Sequence, residues 1–215
     1  MLEKYPLRRG TRVLDLGCGK GLTSLFLAKE ADVNVFAADL WISATENNIR
    51  FNEWEVSDKV IPIHADANDL PFAEEYFDAI VSIDSFHYVA TQPNFFEKKI
   101  LPLLKPNGVA IIAMPGLKEE IHGNEPEVIL EWLDGEESEY DLFHSRKWWL
   151  NHIGQSDKFD VVMDLDLESF DAAWNDWFLS KHEFAIHDEK FFEKGIRQYL
   201  SIVGLVIRKV HPLCR

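Results

Sequence analysis

Three glycines at alternate positions, Gly17, Gly19 and Gly21, form the stretch of the sequence best suited to holding a ligand. Glycine adopts backbone conformations that other residues avoid, and it lets a ligand approach the main chain closely. A phosphate-binding P-loop would carry Ser or Thr after its lysine, but Lys20 is followed by Gly21. A G-x-G-x-x-G dinucleotide fingerprint would need a glycine where Leu22 stands. The G-x-G-x-G pattern leaves two interpretations, a loop that cradles another ligand and a tight turn without one.

Two aspartates accompany this loop. Asp15 lies two residues before Gly17, and Asp39 lies twenty residues after Gly19, at the end of the next apolar run. A carboxylate at the end of a second strand can accept hydrogen bonds from both ribose hydroxyls of a nucleoside. Asp39 could instead cap the following helix. Because it accompanies a glycine loop, we predict that it binds ribose.

Short apolar runs alternate with segments of helical periodicity, which is typical of a parallel sheet with helices on both faces. We predict strands over residues 12–16, 34–40, 60–64, 77–83, 109–114, 159–165 and 199–210. We predict helices over residues 21–31, 42–54, 95–104, 125–133 and 145–153, and a helical stretch over 168–192. The expected fold is α/β, a doubly wound and mostly parallel sheet of seven strands with a late antiparallel strand. We expect residues 1–215 to form one domain, with a core of 12–114, 159–166 and 199–210 and helical cap segments 115–157 and 168–198.

Apolar spacing also predicts which face of each early helix is buried. The predicted buried faces are Leu22, Leu25 and Phe26 in the first helix, and Ile42, Thr45 and Ile49 in the second.

Composition narrows the class of partner. The chain has 22 Lys and Arg against 37 Asp and Glu, a formal net charge of −15, which disfavours a nucleic-acid partner. The cysteines Cys18 and Cys214 lie at opposite ends and match neither a disulfide framework nor a zinc pattern. No apolar run reaches ~18 residues and the N-terminus has no signal-peptide core, so we expect a soluble, cytoplasmic protein without membrane insertion. His144 and His152 have no third ligand at metal spacing, so we predict no metal.

The G-x-G-x-G pattern with an aspartate two residues earlier resembles class I S-adenosylmethionine-dependent methyltransferases, over roughly residues 12–114. Residues 64–72 (His-Ala-Asp-Ala-Asn-Asp-Leu-Pro-Phe) and the turn 105–108 (Lys-Pro-Asn-Gly) match further motifs of that family, with Asn107 in place of a glycine. Segments 39–42, 84–88 and 141–152 are similar to a bacterial small-molecule subgroup labelled cyclopropane-fatty-acid-synthase-like. The resemblance implies a Rossmann-like methyltransferase fold and S-adenosylmethionine as cofactor.

The resemblance also implies roles for individual residues. Asp15 would order the loop or hold the methionine amine, Asp39 would bind ribose, and Asp66 with Ala67 would read adenine. The cofactor-binding set that it implies is Asp15, Gly17, Cys18, Gly19, Gly21, Asp39, Leu40, Asp66, Ala67 and Asp84.

The end of the fourth strand would face the acceptor. Asp84 could lie near the sulfonium or an acceptor amine, and His87 could act as a general base because its ordinary pKa is near neutrality. His87 could equally make a structural hydrogen bond. Four tryptophans could form a cage for a cationic or planar acceptor, or could fix the cap onto the sheet. They are Trp148, Trp149, Trp174 and Trp177.

About eleven residues precede the first strand, whereas related enzymes usually carry N-terminal helices that close over the cofactor. We therefore expect a cleft that is open on one side or covered by another subunit, as in a homodimer. The predicted function is methyl transfer to a small-molecule acceptor. Two alternatives remain: an S-adenosylmethionine-binding protein without transfer activity, and a protein methyltransferase.

Overall fold

A computed structural model describes residues 1–2, 4–133 and 140–211, so Cys214 lies outside the described residues. The predicted fold class is confirmed: seven strands form one sheet in the order β3-β2-β1-β4-β5-β7-β6, and β7 runs antiparallel to its neighbours β5 and β6. The strands are β1 (Arg12–Leu16), β2 (Asn34–Asp39), β3 (Val60–His64), β4 (Phe77–Ile83), β5 (Leu104–Leu117), β6 (Phe159–Asp166) and β7 (Leu200–Lys209).

Helices cover both faces of the sheet. They are α1 (Leu22–Glu30), α2 (Ala44–Glu53), α3 (His87–Ala90), α4 (Glu127–Trp132), α5 (Arg146–Ile153), α6 (Phe170–Leu179) and α7 (Glu183–Glu193). Within the described ranges, no helix is both long enough and apolar enough to cross a membrane.

The central strands are apolar on both sides because both sides are covered. Along β1, Val13 packs into one core cluster and Leu14 into the other, and both side chains are fully buried. Their neighbours on β2 alternate in the same way, since Val35 and Ala37 join the cluster of Val13. This alternation explains the nearly continuous apolar runs in the sequence.

The Lys-Pro-Asn-Gly turn lies inside β5 rather than before it. Pairing with β4 jumps from Phe77↔Leu104 to Ala79↔Val109, so the turn residues form a bulge between two paired stretches. Asn107 occupies the bulge with a left-handed φ of 64°, a conformation that asparagine tolerates.

The predicted buried faces of α1 and α2 are wrong at four of six residues: Leu25 packs against the core and Ile42 is half-buried, but the other four are exposed. Helix α1 buries Ser24, Leu27 and Ala28, and leaves Leu22 and Phe26 largely exposed. The inward face of α1 includes a polar contact, because the Ser24 hydroxyl donates a hydrogen bond of 2.5 Å to Asp15 Oδ2 beneath the helix.

Helix α2 is rotated for a similar reason. It buries Asn47 and Phe51, while Thr45 and Ile49 face solvent. The Asn47 side chain donates to the carbonyl of Gly19 at 2.9 Å. In both helices the inward face therefore combines apolar residues with one buried polar contact near the glycine loop.

Two other predicted helices are interrupted. The segment predicted over 95–104 is a π-helix, Phe96–Ile100, followed by a 3-10 turn, Leu101–Leu103. Pro102 in that turn lacks the N–H that a continuing helix would use. The stretch 168–192 is two helices, α6 and α7, separated at Lys181, whose φ is 54°.

Trp148 and Trp149 fix the cap to the sheet. Trp149 is fully buried in the main core cluster, with its ring 6.1 Å from that of Phe86. Trp148 stacks on His144 at 3.5 Å and on His152 at 4.4 Å. For these two residues the anchoring interpretation is the one that the packing supports.

Trp149→Ala should lower the free energy of unfolding by about 3–5 kcal/mol, because it leaves a large cavity in the core. Urea denaturation followed by circular dichroism measures this change. Trp41→Ala is the control, since Trp41 is 71% exposed and loses an edge-to-face contact with Tyr88, and it should lower the free energy by less than about 1.5 kcal/mol. Equal effects of the two substitutions would contradict the anchoring role.

Candidate functional site

The three glycines of the loop are all left-handed, with φ of 71° at Gly17, 52° at Gly19 and 87° at Gly21. A Cβ on Gly17 would lie 1.6 Å from Ser85 Oγ, and one on Gly21 would lie 2.4 Å from the ring of Phe51. A Cβ on Gly19 would meet no described atom within 4 Å. The loop is therefore packed at its two ends and open at its centre, where a ligand can reach the backbone.

Backbone and side-chain contacts hold the loop in this shape. The N–H groups of Gly17 and Cys18 both donate to the carbonyl of Ala38, at 2.9 and 3.0 Å. The Cys18 side chain is buried, and burial raises the pKa of its thiol. Cys18 therefore stabilises the loop through its backbone N–H, while its un-ionised side chain packs in the interior.

Asp15 lies beneath the loop rather than in the open space. Its side chain is buried, and Oδ2 accepts the hydrogen bond from Ser24. Oδ1 is also buried and has no hydrogen-bond partner among the described atoms. Burial raises the pKa of Asp15 to about 7, and the bond from Ser24 offsets only part of the rise. Two roles were considered for Asp15: ordering the loop and holding the methionine amine. The buried hydrogen bond with Ser24 fits the first role.

Asp39 links the loop to the end of β2. Its Oδ2 accepts from the Gly19 N–H at 2.8 Å, and its Oδ1 accepts from the N–H groups of Trp41 and Ile42, each at 2.8 Å. A carboxylate offers about four lone-pair sites, so about one site, on Oδ2, stays available to a ribose hydroxyl. Binding both hydroxyls would require Asp39 to release the Gly19 N–H.

The ends of β2 and β3 lie side by side, since Asp39 pairs with His64. His64 Nε2 lies 2.8 Å from the Leu40 carbonyl. Beyond β3, the exposed Asp66 accepts bonds from the Asn68 backbone and side chain through Oδ1, at 2.8 and 3.0 Å, so neither bond uses Oδ2. These bonds hold the pKa of Asp66 below its ordinary value. Ala67, the next residue, is half-buried against the core.

Asp84 follows the last residue of β4 and has a left-handed φ of 56°. Its N–H is bonded to the Ala113 carbonyl at 2.8 Å, which holds it in this unusual conformation. The residue opens onto solvent, yet the surrounding protein desolvates the carboxyl enough to raise its pKa to about 6. Strained, pKa-shifted residues of this kind are concentrated at functional sites.

His87 begins the short helix α3 and is almost fully buried. Burial lowers the pKa of His87 to about 4, so the imidazole is neutral at physiological pH. Its ring lies 4.2 Å from that of Tyr88 and 6.0 Å from that of Phe143. Its Nδ1 has no hydrogen-bond partner among the residues that the structure describes. The structural hydrogen bond that we considered for His87 is therefore not made at Nδ1.

A cavity of about 530 Å³ opens beside Asp84 and His87. Its lining is mostly apolar and includes five aromatic side chains: Tyr88, Trp132, Phe143, Trp174 and Trp177. Of the four tryptophans in the sequence hypothesis, Trp174 and Trp177 line this cavity, and Trp148 and Trp149 do not.

A carboxylate that the sequence analysis missed lies in the same wall. The indole N–H groups of Trp132 and Trp177 donate to the two oxygens of Asp188, at 2.7 and 2.8 Å. The three residues come from α4, α6 and α7, up to 56 positions apart, so no local spacing could have indicated the group. Across the described part of the chain, no Lys or Arg lines the cavity.

The loop and the cavity meet at the end of β4. Ser85 packs on Gly17, while its neighbour Asp84 lines the cavity. The fold thus brings a ligand-sized opening at Gly19 and an aromatic chamber to one edge of the sheet, the carboxyl ends of the parallel strands.

Gly19→Ala should leave the fold largely intact, with a backbone cost of about 1–2 kcal/mol, and should weaken S-adenosylmethionine binding at least tenfold because its Cβ occupies the opening. Calorimetric titration and thermal unfolding measure the two effects. Gly17→Ala is the matched comparison, and it should destabilise the protein much more through its clash with Ser85. Unchanged affinity in a folded Gly19→Ala protein would show that the ligand does not bind at this loop.

Residues 14–112 match the family described as "Methyltransferase domain". The human protein "Arginine-hydroxylase NDUFAF5, mitochondrial" is 41% identical over 114 residues, which are 53% of this chain and 30% of that protein. The 27-O-demethylrifamycin SV methyltransferase of Amycolatopsis mediterranei is 32% identical over 104 residues, 48% of this chain and 38% of that enzyme. The chain thus spans about a third of the length of these relatives.

Among solved structures, phosphoethanolamine N-methyltransferase 2 of Haemonchus contortus, crystallised with S-adenosyl-L-methionine, superposes with a TM-score of 0.78. The sequences are 19% identical, and the match covers 98% of this chain and 51% of that one. This likeness is one of fold. Residues 14–112, just under half of the chain, thus resemble the methyltransferase-domain family, and nearly the whole chain shares the fold of this solved methyltransferase.

Proposed function

We propose that this protein transfers a methyl group from S-adenosylmethionine to a small amine with an apolar or aromatic body. The observation that carries the proposal is a cavity beside the glycine loop with five aromatic residues in its lining: Asp84 lines the cavity, and its neighbour Ser85 packs on Gly17. The net charge of −15 agrees with an acceptor other than nucleic acid.

The proposed cofactor site uses the residues around the loop and the adjacent strand ends. It comprises Asp15, Gly17, Cys18, Gly19, Gly21, Asp39, Leu40, Asp66, Ala67 and Asp84. The open centre of the loop and the available lone pair of Asp39 fit an adenosyl group. When bound, S-adenosylmethionine supplies a methyl group on a positively charged sulfur, a centre that needs alignment more than elaborate catalysis.

The lining of the cavity supports the choice of an amine. Aromatic faces attract cations, and Asp84 and Asp188 add two carboxylates to the walls. A phosphate ester would need basic partners, and the described lining has no Lys or Arg. We therefore propose an acceptor other than phosphoethanolamine, the compound that the names of several relatives contain.

Asp84 and His87 have different roles beside the acceptor nitrogen. Asp84, with its pKa raised to about 6, is ionised at physiological pH and is better matched to accept a proton than His87, whose pKa is lowered to about 4. Neutral His87 lines the cavity beside Asp84 and packs against the acceptor without competing for its proton. His87 was the first candidate for the base from sequence, so the proposal moves that role to Asp84.

The test is methylation of a panel of aryl- and alkylamines with radiolabelled S-adenosylmethionine, with phosphoethanolamine as the comparison. We expect labelled low-mass product from apolar amines. With the arylamines, which carry no extra proton in this pH range, kcat/KM should rise about tenfold per pH unit below pH 6 and level off above it, because only ionised Asp84 is active. Asp84→Asn should lower kcat by roughly 10²-fold or more and abolish this limb of the profile.

Asp58→Asn, an exposed aspartate before β3, is the control and should behave as wild type. Labelled protein bands from a lysate would instead indicate a protein methyltransferase. Micromolar cofactor binding without product from any amine would overturn the proposed acceptor and favour a binding protein without transfer activity.

A further inference from the structure

Outside the cavity and the glycine loop, the fold assembles a second cluster of metal-ligating side chains. Glu120 and His122 follow β5, and His144 precedes α5. One ligand atom from each lies within 4.8 Å of the others. The ligand atoms around a tetrahedral zinc ion, with bonds of about 2.0–2.1 Å, are roughly 3.4 Å apart, so small side-chain movements would suffice to close on an ion.

The two imidazoles converge on one carboxylate oxygen. His144 Nδ1 lies 3.0 Å from Glu120 Oε1, and His122 Nδ1 contacts the same oxygen. The two rings stack, with centroids 4.5 Å apart. His144 is buried and held against Trp148, so one side of the cluster is rigid.

A second layer of hydrogen bonds fixes the carboxylate. Glu120 Oε2 accepts from the backbone N–H and the hydroxyl of Ser145, at 3.1 and 2.9 Å. Ligating groups in metal sites are commonly oriented by such outer bonds, whose loss weakens metal binding by about 10–100-fold.

The ring nitrogens of His122 point to a ligand. Both of its ring nitrogens are shielded from solvent, and neither makes a well-formed hydrogen bond within the described residues. Nδ1 contacts Glu120, and Nε2 is 4.0 Å from Asp141 Oδ1. Leaving such groups unsatisfied is costly, and a bound cation would satisfy one of the nitrogens directly.

We propose that Glu120, His122 and His144 bind a divalent transition metal, Zn²⁺ in the first instance. Two imidazoles and one carboxylate form a donor set that zinc accepts, and the imidazoles argue against Mg²⁺ or Ca²⁺, which prefer oxygen. Water or the Asp141 carboxylate completes the four ligands. The sequence analysis found no third ligand for His144 and His152 and predicted no metal; the proposal departs from that prediction through Glu120 and His122. His152 Nε2 lies 2.8 Å from the Ala90 carbonyl and takes no part in the cluster.

The site would join two parts of the cap. The Leu117 N–H donates to the His144 carbonyl at 3.1 Å, so the chain leaving β5 already touches the turn before α5 at this point. Phe143 and Gly116, each next to one of these contacts in the chain, line the aromatic cavity. A bound ion would therefore hold one wall of the cavity in place.

The experiment uses untagged protein, stripped with a chelator and then titrated with ZnCl₂. Calorimetry and elemental analysis should find about one tightly bound zinc per chain, and zinc at 100 times its Kd should raise Tm by roughly 5–10 °C. Glu120→Gln and His122→Ala should each weaken zinc binding at least tenfold. The matched controls are Glu119→Gln and His182→Ala, both at exposed positions, and they should bind zinc as wild type does.

Glu120→Gln keeps the shape of the side chain and its capacity to accept from Ser145, so it tests the site even if His122→Ala proves poorly folded. Comparing Tm of the zinc-free proteins checks folding. Absence of a tight zinc site, or zinc affinity that is equal in Glu120→Gln and Glu119→Gln, would overturn the proposal.

Discussion

The architecture of the site depends on buried polar contacts that hold the glycine loop from below. Ser24 binds Asp15, Asn47 binds the Gly19 carbonyl, and Asp39 accepts the Gly19 N–H. These contacts keep left-handed backbone in an open shape, and they place one polar side chain of α1 and one of α2 on the buried face, beside the apolar Leu27 and Phe51. Loop and helices are therefore one unit, in which the cost of burying polar groups is offset by hydrogen bonds.

The second organising feature is the end of β4, where the loop and the cavity meet. Ser85 fills the space beside Gly17, Asp84 is left-handed, and His87 is buried with a free ring nitrogen. Asp84 and His87 lie three positions apart, and the protein shifts their pKa values in opposite directions. The pKa of Asp84 is raised and that of His87 is lowered. An acceptor bound in the cavity would lie beside both residues, since both line it.

Much of this could be predicted from local sequence. Apolar strands covered on both faces leave continuous runs, and the glycine loop and the strand-end aspartates have distinctive spacing, so the sheet and the positions of Asp15, Asp39, Asp84 and His87 followed. The helix faces did not follow, because apolar periodicity does not register the contacts of Ser24 or Asn47. The Trp132–Asp188 pair and the Glu120–His122–His144 cluster join segments distant in the chain, and only the folded cap brings them together.

The central claim is that the open centre of the loop receives the adenosyl group of the cofactor. A crystal structure of the protein with S-adenosylhomocysteine tests it most directly. The account predicts a nucleoside against Gly19, a ribose hydroxyl on Asp39 Oδ2, adenine beside Asp66 and Ala67, and the sulfur directed toward Asp84. A nucleoside bound elsewhere, or crystals that take up none at saturating concentration, would contradict it.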